Sequence, residues 1–428
     1  MDSTRRNVAL LAASQAMLFS INSTLIAVNG LAGLALAPTK SIATLPVTFW
    51  VIGGAIATVP ASHLQARIGR RGGLSAGSGI GLLGCLVCAL AIATQNFWLL
   101  CAGALVFGSS NAFGQYYRFA AADAAPAHFK ATAISLVLAG GLVGGIIGPT
   151  VSRATIDLLE PKFLGAYLGV SAYLLVTLVL LQGLRVPAPS AEERAKKGRP
   201  LAEIARQPKF IVAVLCGAIG YGVMNFLMTA TPIAMGVCGH PYGDAAFVIS
   251  SHVIGMFAPS FVTGGLIKRV GIVPLLFAGA VLNIVAVGSA LSGLSVTHFW
   301  LSLVVLGVGW NFLYIGGTTL LTQTYRPEER AKAQGANDLA IFVMMTLSSF
   351  TSGMTVTNAG WEKVNLSALP LIGIVLCAIT WLALRTQVHI TEFDRDLIGL
   401  PEGATQKTVI VQVANAVFDN AYLPVIII

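Results

Sequence analysis

Hydrophobic residues occur along this chain in long runs that short polar segments separate. Twelve of these runs are about 20 residues long, the length of helix that crosses a hydrocarbon layer of roughly 30 Å. The pattern therefore predicts an all-α polytopic membrane protein with twelve transmembrane helices. We place these spans at residues 8–33, 43–65, 73–95, 97–121, 131–151, 163–184, 210–236, 244–267, 272–293, 298–322, 333–356 and 366–385.

The longest polar interruption, at residues 185–209, divides the spans into two sets of six. A weak internal repeat supports this division, because residues 126–133 before span five resemble residues 327–333 before span eleven. Two parallel six-helix halves are a known transporter architecture. We therefore predict an N-terminal six-helix bundle at 1–184, a cytoplasmic central loop at 185–209, a C-terminal six-helix bundle at 210–385 and a cytoplasmic tail at 386–428.

Composition excludes an ordinary soluble domain. Only 10% of the 428 residues are charged and 56% are hydrophobic, whereas about 25% of a soluble domain is charged. The net charge of +9 does not indicate a nucleic-acid partner, because the Lys and Arg residues fall almost entirely in alternate loops. This positive-inside pattern predicts a protein embedded in a lipid bilayer, with both termini in the cytoplasm.

Two pairs of soft-metal ligands occur at helical spacing in spans seven and eight. Met224 and Met228 are four residues apart, as are His252 and Met256, so each pair shares one helix face. Counting along the spans places both pairs near the middle of the membrane. A methionine pair alone is more often packing, whereas an ionisable residue within a span is a functional candidate. Three thioethers and one imidazole favour Cu(I) over hard cations, so we predict a metal site.

Other residues are candidates for accessory roles. Cys216, Met235 and Cys238 extend the methionine face and could handle copper, the alternatives being apolar packing and ordinary loop chemistry. A second set of ionisable residues lies near the ends of spans four and eleven. These residues could serve gating or proton coupling, or could form structural ion pairs: Arg118, Asp123 and Asp338.

An alternative function is the transport of an organic solute. Polar and aromatic residues in spans one, four and ten could hydrogen-bond and stack a planar molecule. They are Asn22, Asn29, Asn111, Phe113, Gln115, Tyr116, Tyr117, Trp310, Asn311 and Tyr314. We find no convincing Ser-His-Asp arrangement, phosphate-binding glycine loop or metalloprotease helix in the sequence, so we expect neither an enzyme nor a cofactor.

Several motifs resemble those of the major facilitator superfamily. Residues 67–71 (RIGRR) and 264–271 (GGLIKRVG) are similar to its signature loop in the first and second halves, and residues 144–149 (GGIIGP) to its glycine-proline motif. The chain departs from the signature at Ala66 and Lys268, where the family usually has an acid. The resemblance covers all twelve spans and implies a transporter built from two six-helix bundles.

Within that superfamily, the chain resembles the CcoA-like copper importers, a group that also includes riboflavin transporter-like members. These importers carry MetxxxMet on the seventh helix and HisxxxMet on the eighth, which residues 224–228 and 252–256 match. The resemblance implies a monomer that imports copper across the bacterial inner membrane, for assembly of a cbb3-type cytochrome oxidase, with copper chaperones as partners. Copper is then the transported substrate. The alternatives are uptake of an organic solute such as riboflavin and export of a drug or metabolite.

Overall fold

The computed structural model describes residues 3–39, 42–186 and 198–398, and the regular elements in these ranges are all helices. Within these described ranges, ten helices are long and apolar enough to cross a membrane. Two of them contain two spans each, because Gly69 and Gly360 interrupt them with φ angles of 81° and 80°. The prediction of an all-α fold with twelve spans is confirmed.

The helices follow the predicted order. Spans two and three share Leu45–Ala93, and spans eleven and twelve share Arg330–Ile398. Spans four and eight are each formed by two helices. The remaining elements are Ser3–Leu36, Phe97–Gly114, Tyr117–Asp123, Ala127–Phe129, Lys130–Thr155, Leu164–Gln182, Leu201–Ala205, Pro208–Val237, Tyr242–Phe257, Ser260–Val270, Ile272–Leu291, Val296–Leu321 and Pro327–Glu329.

The two signature loops share one backbone conformation. Gly69 has φ 81° and ψ 167°, and Gly271 has φ 90° and ψ 169°. Residues other than glycine rarely adopt these angles. The weak repeat in the sequence is therefore also present in the backbone, because each half changes direction at a glycine at this point.

The breaks inside spans four and eight are not predicted by their apolar runs. In span eight, Pro259 has no N–H to continue the helix. Asn311 donates to the carbonyl oxygen of Met256 at 2.7 Å beside this break. In span four, the helix ends at Gly114 and a new one begins at Tyr117. The break in span four places irregular backbone in the protein interior, where it can contribute to a binding site.

The glycine-proline motif packs span five against span one. A Cβ atom on Gly144 would collide with the carbonyl oxygen of Ala16, so only glycine permits this approach. Thr24 of span one also donates to the carbonyl oxygen of Gly148 at 3.1 Å. The role of the glycine-proline motif is therefore to let spans one and five pack closely.

The described residues up to Thr380 form one compact unit that contains most of both predicted bundles, and those from Trp381 to Ile398 belong to a second unit. The last helix continues to Ile398, beyond the predicted span end at residue 385, and residues 386–398 contain neither glycine nor proline. In the second unit, the Arg385 guanidinium lies 5.0 Å from the Trp381 ring centroid. Residues 399–428 of the predicted tail and 187–197 of the predicted central loop lie outside the described residues.

Candidate substrate site

Four aromatic side chains of the C-terminal half pack together in the interior and form what we call the aromatic cluster. Trp310 and Tyr314, one turn apart on span ten, stack with ring centroids 4.8 Å apart and planes at 16°. Tyr221 of span seven meets both rings edge-on, at 5.4 and 5.6 Å. Phe257 of span eight lies 5.7 Å from Trp310. The cluster joins three spans of this half.

The N-terminal half contacts the aromatic cluster on two sides. Phe19 of span one lies 4.5 Å from Phe257, ring centroid to ring centroid. The guanidinium of Arg118, from span four, lies 4.7 Å from the Tyr314 ring centroid. The cluster therefore lies where the two halves meet, which is where transporters of this architecture bind their substrates.

Arg118 and Asp338, which the sequence singles out separately, form a buried ion pair between the two halves. Arg118 Nη2 donates to Asp338 Oδ1, and both side chains are 2% exposed. Asn337 donates to the same oxygen at 2.8 Å. Since a buried charge without its partner is costly, each member of the pair depends on the other.

The break in span four brings Gln115 into contact with this pair. Arg118 Nη1 donates to the backbone carbonyl oxygen of Gln115 at 2.8 Å and to its side-chain Oε1 at 3.3 Å. The Tyr314 hydroxyl also donates to Oε1, at 3.3 Å. Gln115 therefore links the ion pair to the aromatic cluster.

Several buried polar atoms in and near the cluster have no hydrogen-bond partner among the described residues. They are Trp310 Nε1 in the cluster, and Arg118 Nε and Asp338 Oδ2 in the ion pair beside it. Most buried polar groups in proteins are hydrogen-bonded to protein or water. The site therefore has spare donors and acceptors, as a site for a polar substrate requires.

The two halves also meet at the basic face, the end of the bundle that carries the loops around Arg70 and Arg330. Asp123 accepts hydrogen bonds from Arg70 Nε at 2.9 Å and from Arg330 Nη1 at 3.1 Å. Arg70 also donates to Gln334 of span eleven at 2.7 Å. Asp123 thus supplies a negative charge at the signature loop, which has Ala66 where the family usually has an acid.

The structure places the four predicted metal ligands in the interior of the C-terminal half. Met224, His252 and Met256 are buried and Met228 is half-buried. His252 Nδ1 lies 2.6 Å from the carbonyl oxygen of Leu303 on span ten. Span eight packs more extensively on span ten than on span seven.

The accessory residues of span seven lie in different surroundings. Cys216 and Met235 are buried, whereas Cys238 is exposed at the end of the helix. Next to them, His240 Nε2 lies 2.7 Å from the carbonyl oxygen of Leu294. This contact satisfies one nitrogen of His240 within the loop.

Only some residues of the organic-solute alternative lie at the junction of the two halves. Asn29 accepts from Tyr167, and Tyr116 donates to the Thr58 carbonyl oxygen, so these two residues serve contacts between helices. Asn311 is similarly engaged at the break in span eight. Three residues adjoin the junction of the halves, namely Gln115, Trp310 and Tyr314, whereas Asn22 donates to Asn111 within the N-terminal half.

Three aromatic residues of the site are missing from the sequence-based list, namely Phe19, Tyr221 and Phe257. Tyr221 precedes Met224 and Met228 by three and seven residues, which places it on their helix face. This spacing from the two methionines could have identified Tyr221 as a site residue from the sequence. Phe19 and Phe257 are ordinary apolar residues of their spans, and only their ring contacts in the folded protein distinguish them.

A twelve-span bundle with a polar aromatic site between its halves defines a multi-pass membrane transporter. The family model of the Major Facilitator Superfamily matches residues 8–349. The chain belongs to this superfamily, as its motifs predict. It is 40% identical over 375 residues to the riboflavin transporter RfnT of Brucella anthropi, covering 87% of this chain and 94% of that protein.

Other relatives agree with this assignment. The MFS-type transporter YdeG of Bacillus subtilis is 31% identical over 80% of this chain and 84% of its own. The outward conformation of the transporter FucP superposes with a TM-score of 0.69 at 18% identity, covering 89% of this chain and 99% of its own. The proton:xylose symporter XylE superposes with a TM-score of 0.70 at 14% identity, covering 86% and 94%. At these identities, the two structures show the shared fold.

Proposed function

We propose that this transporter carries a planar heteroaromatic solute of the riboflavin class, bound at the aromatic cluster. The observation that carries the proposal is the stacked pair of Trp310 and Tyr314, with unpartnered polar atoms beside it, at the junction of the two halves. The 40% identity to a protein named as a riboflavin transporter supports the same substrate class. The organic-solute alternative therefore has more support than copper import.

The chemistry of such a solute suits these residues. A flavin ring is flat and wide, and aromatic side chains contribute about 0.5–1.5 kcal/mol per ring pair beyond the burial of area. Its pyrimidine edge carries carbonyl acceptors and an N–H donor, which need polar partners once water is removed. Contacts from both halves at one site allow the substrate to stay bound while one half moves against the other.

Copper import through Met224, Met228, His252 and Met256 is the second candidate function. The contact of His252 Nδ1 with the Leu303 carbonyl oxygen requires a proton on Nδ1, which leaves a lone pair on the buried and unpartnered Nε2. Histidines that bind metals commonly have this arrangement. Under this candidate, copper chaperones would be the partners and a cbb3-type oxidase the recipient.

Parallel uptake of radiolabelled riboflavin and radioactive copper by cells that produce the protein tests both candidates. We expect riboflavin accumulation, with Trp310→Leu and Tyr221→Leu each reducing it about tenfold because a stacking surface is lost. Failure of the wild-type protein to accumulate riboflavin would contradict the proposal.

The matched variants are Met228→Leu, Met256→Leu and His252→Leu. Methionine and leucine have similar volumes, so the two methionine exchanges normally cost under about 1.5 kcal/mol. We expect normal riboflavin uptake from the methionine variants at normal membrane abundance. Copper uptake by the wild-type protein that is lost in all three variants would instead favour the second candidate.

We further propose that the protein is a monomer in the bacterial inner membrane, with both termini in the cytoplasm. The basic loops on one side of the twelve spans support this orientation. The basic face is then the cytoplasmic end, and the contacts of Asp123 close the path from the site to the cytoplasm.

A further inference from the structure

Gln115 lies at the break in span four, between the buried ion pair and the aromatic cluster. It is the first residue of the two-residue turn that separates the helices Phe97–Gly114 and Tyr117–Asp123. Its backbone carbonyl oxygen accepts from Arg118 Nη1 at 2.8 Å. The break and this hydrogen bond thus hold the backbone of Gln115 beside the ion pair.

The contact with Arg118 fixes the orientation of the Gln115 amide. Arginine nitrogens are always hydrogen-bond donors, so the amide atom facing Arg118 Nη1 at 3.3 Å must be the oxygen. The Tyr314 hydroxyl then donates to the same oxygen, also at 3.3 Å. Which end of an amide is oxygen is normally inferred from such a network. Here, the Arg118 contact requires Oε1 to face the guanidinium, and Nε2 therefore faces away from it.

The Nε2 group of Gln115 has two hydrogens to donate, and the described part of the chain provides no acceptor for them. The residue is half-buried, so this end is partly accessible. Tyr314, which bonds to the other end of the amide, stacks on Trp310. The buried Trp310 Nε1 is a further donor without a partner among the described residues. The site therefore offers donors beside its stacking surface.

We propose that Gln115 is a specificity-determining residue that donates hydrogen bonds from Nε2 to a carbonyl oxygen of the substrate. The substrate class is a planar heteroaromatic ring that carries carbonyl groups on one edge, as in a cyclic imide or ureide. This inference rests on the proposed function. Arg118 and Tyr314 act on the substrate through Gln115 and are positioning residues in this respect.

The first test compares riboflavin with its 2-thio and 4-thio analogues as competitors of riboflavin uptake by the wild-type protein. Sulfur keeps the shape of the ring but accepts hydrogen bonds more weakly than oxygen. We expect one of the two analogues to compete about tenfold less well, the factor of a single lost hydrogen bond. Equal competition by all three compounds would overturn the role of Gln115. No riboflavin uptake at all would overturn the proposed function, and the inference with it.

The second test separates substrate binding from a purely structural role. Gln115→Glu keeps an oxygen for Arg118 and Tyr314 but has no donor, whereas Gln115→Met has neither. If Gln115 only positions its neighbours, the Glu variant keeps wild-type transport and the Met variant loses it. We expect both variants to raise KM for riboflavin about tenfold or more with little change in kcat, and the Glu variant to be at least as impaired. Wild-type KM in the Glu variant, at normal membrane abundance, would overturn the proposal.

Discussion

Arg118 and Asp338 are 220 residues apart in the sequence and form an ion pair in which each side chain is 2% exposed. Arg118 belongs to span four of the first half and Asp338 to span eleven of the second. The pair therefore connects the two halves next to the aromatic cluster. Any movement that separates these spans must break it or carry both charges along.

Neutralising one member of this pair should destabilise the protein strongly. Arg118→Gln or Asp338→Asn leaves an unpaired buried charge, which typically costs about 3–5 kcal/mol. We expect a much lower melting temperature in detergent and lower membrane abundance for each single variant. The double variant Arg118→Gln/Asp338→Asn should lose less than the sum of the two changes, whereas additive losses would contradict the coupling.

Asp123 should control closure at the basic face. Asp123→Asn removes the negative charge that holds Arg70 and Arg330 together, so we expect the two halves to separate more often there. A cysteine introduced at Ser62, which is buried and donates to the Ala331 carbonyl oxygen, should then react several-fold faster with a charged thiol reagent.

A matched control for this prediction is the exposed ion pair of Asp157 and Lys162. These side chains are 69% and 59% exposed, and such pairs contribute about 0–1 kcal/mol. Asp157→Asn should leave the labelling rate of the introduced cysteine unchanged. Equal rates in the Asp123 and Asp157 variants would contradict the role of Asp123 in closure.

The central loop is fastened to the second half by a contact that we call the central-loop clasp, formed by Gly198, Arg199 and Glu329. Arg199 donates to Glu329 from its backbone N, Nε and Nη2 at 2.8, 2.8 and 2.7 Å, and Glu329 is fully buried. Hydrogen bonding to Glu329 raises the pKa of the Arg199 guanidinium, so the cation persists. Gly198 has φ 57°, and a Cβ there would lie 2.7 Å from Glu329 Cγ.

Arg199→Ala should lower the melting temperature of the protein, because Glu329 loses its charged donor. Gly198→Ala should also destabilise it, through both the positive φ and the collision. Lys209→Ala is the control from the same loop, since its exposed bond to Gln323 at 3.2 Å should matter by less than about 0.5 kcal/mol. Similar melting temperatures for the Arg199 and Lys209 variants would argue against the clasp.

Reporter fusions test the proposed orientation. The loop that ends at Gln207 is on the basic side, whereas Tyr242 begins the helix on the other side of span seven. We expect a fusion after Gln207 to report a cytoplasmic location and one after Tyr242 a periplasmic location. The reverse result would invert the proposed orientation and place the Asp123 contacts at the outer end.

The number of spans and the family follow from the sequence alone. Whether a segment crosses the bilayer depends on its summed hydrophobicity and length, which are properties of the segment itself. The signature loops are equally local, because Gly69 and Gly271 allow a backbone conformation that other residues avoid. Residues such as Trp310 and Gln115 stand out as polar or aromatic positions, but the sequence ranks them equally with Asn29 and Tyr116.

Only the tertiary structure decides which of these residues share a site. It commits Asn29 and Tyr116 to hydrogen bonds between helices, and it brings Tyr221 and Phe257 to Trp310. Partners of this kind lie on different spans, and their meeting depends on how each helix rotates and tilts against its neighbours. Packing between helices sets that rotation. The apolar pattern of a single segment contains no information about the residues that will lie opposite it.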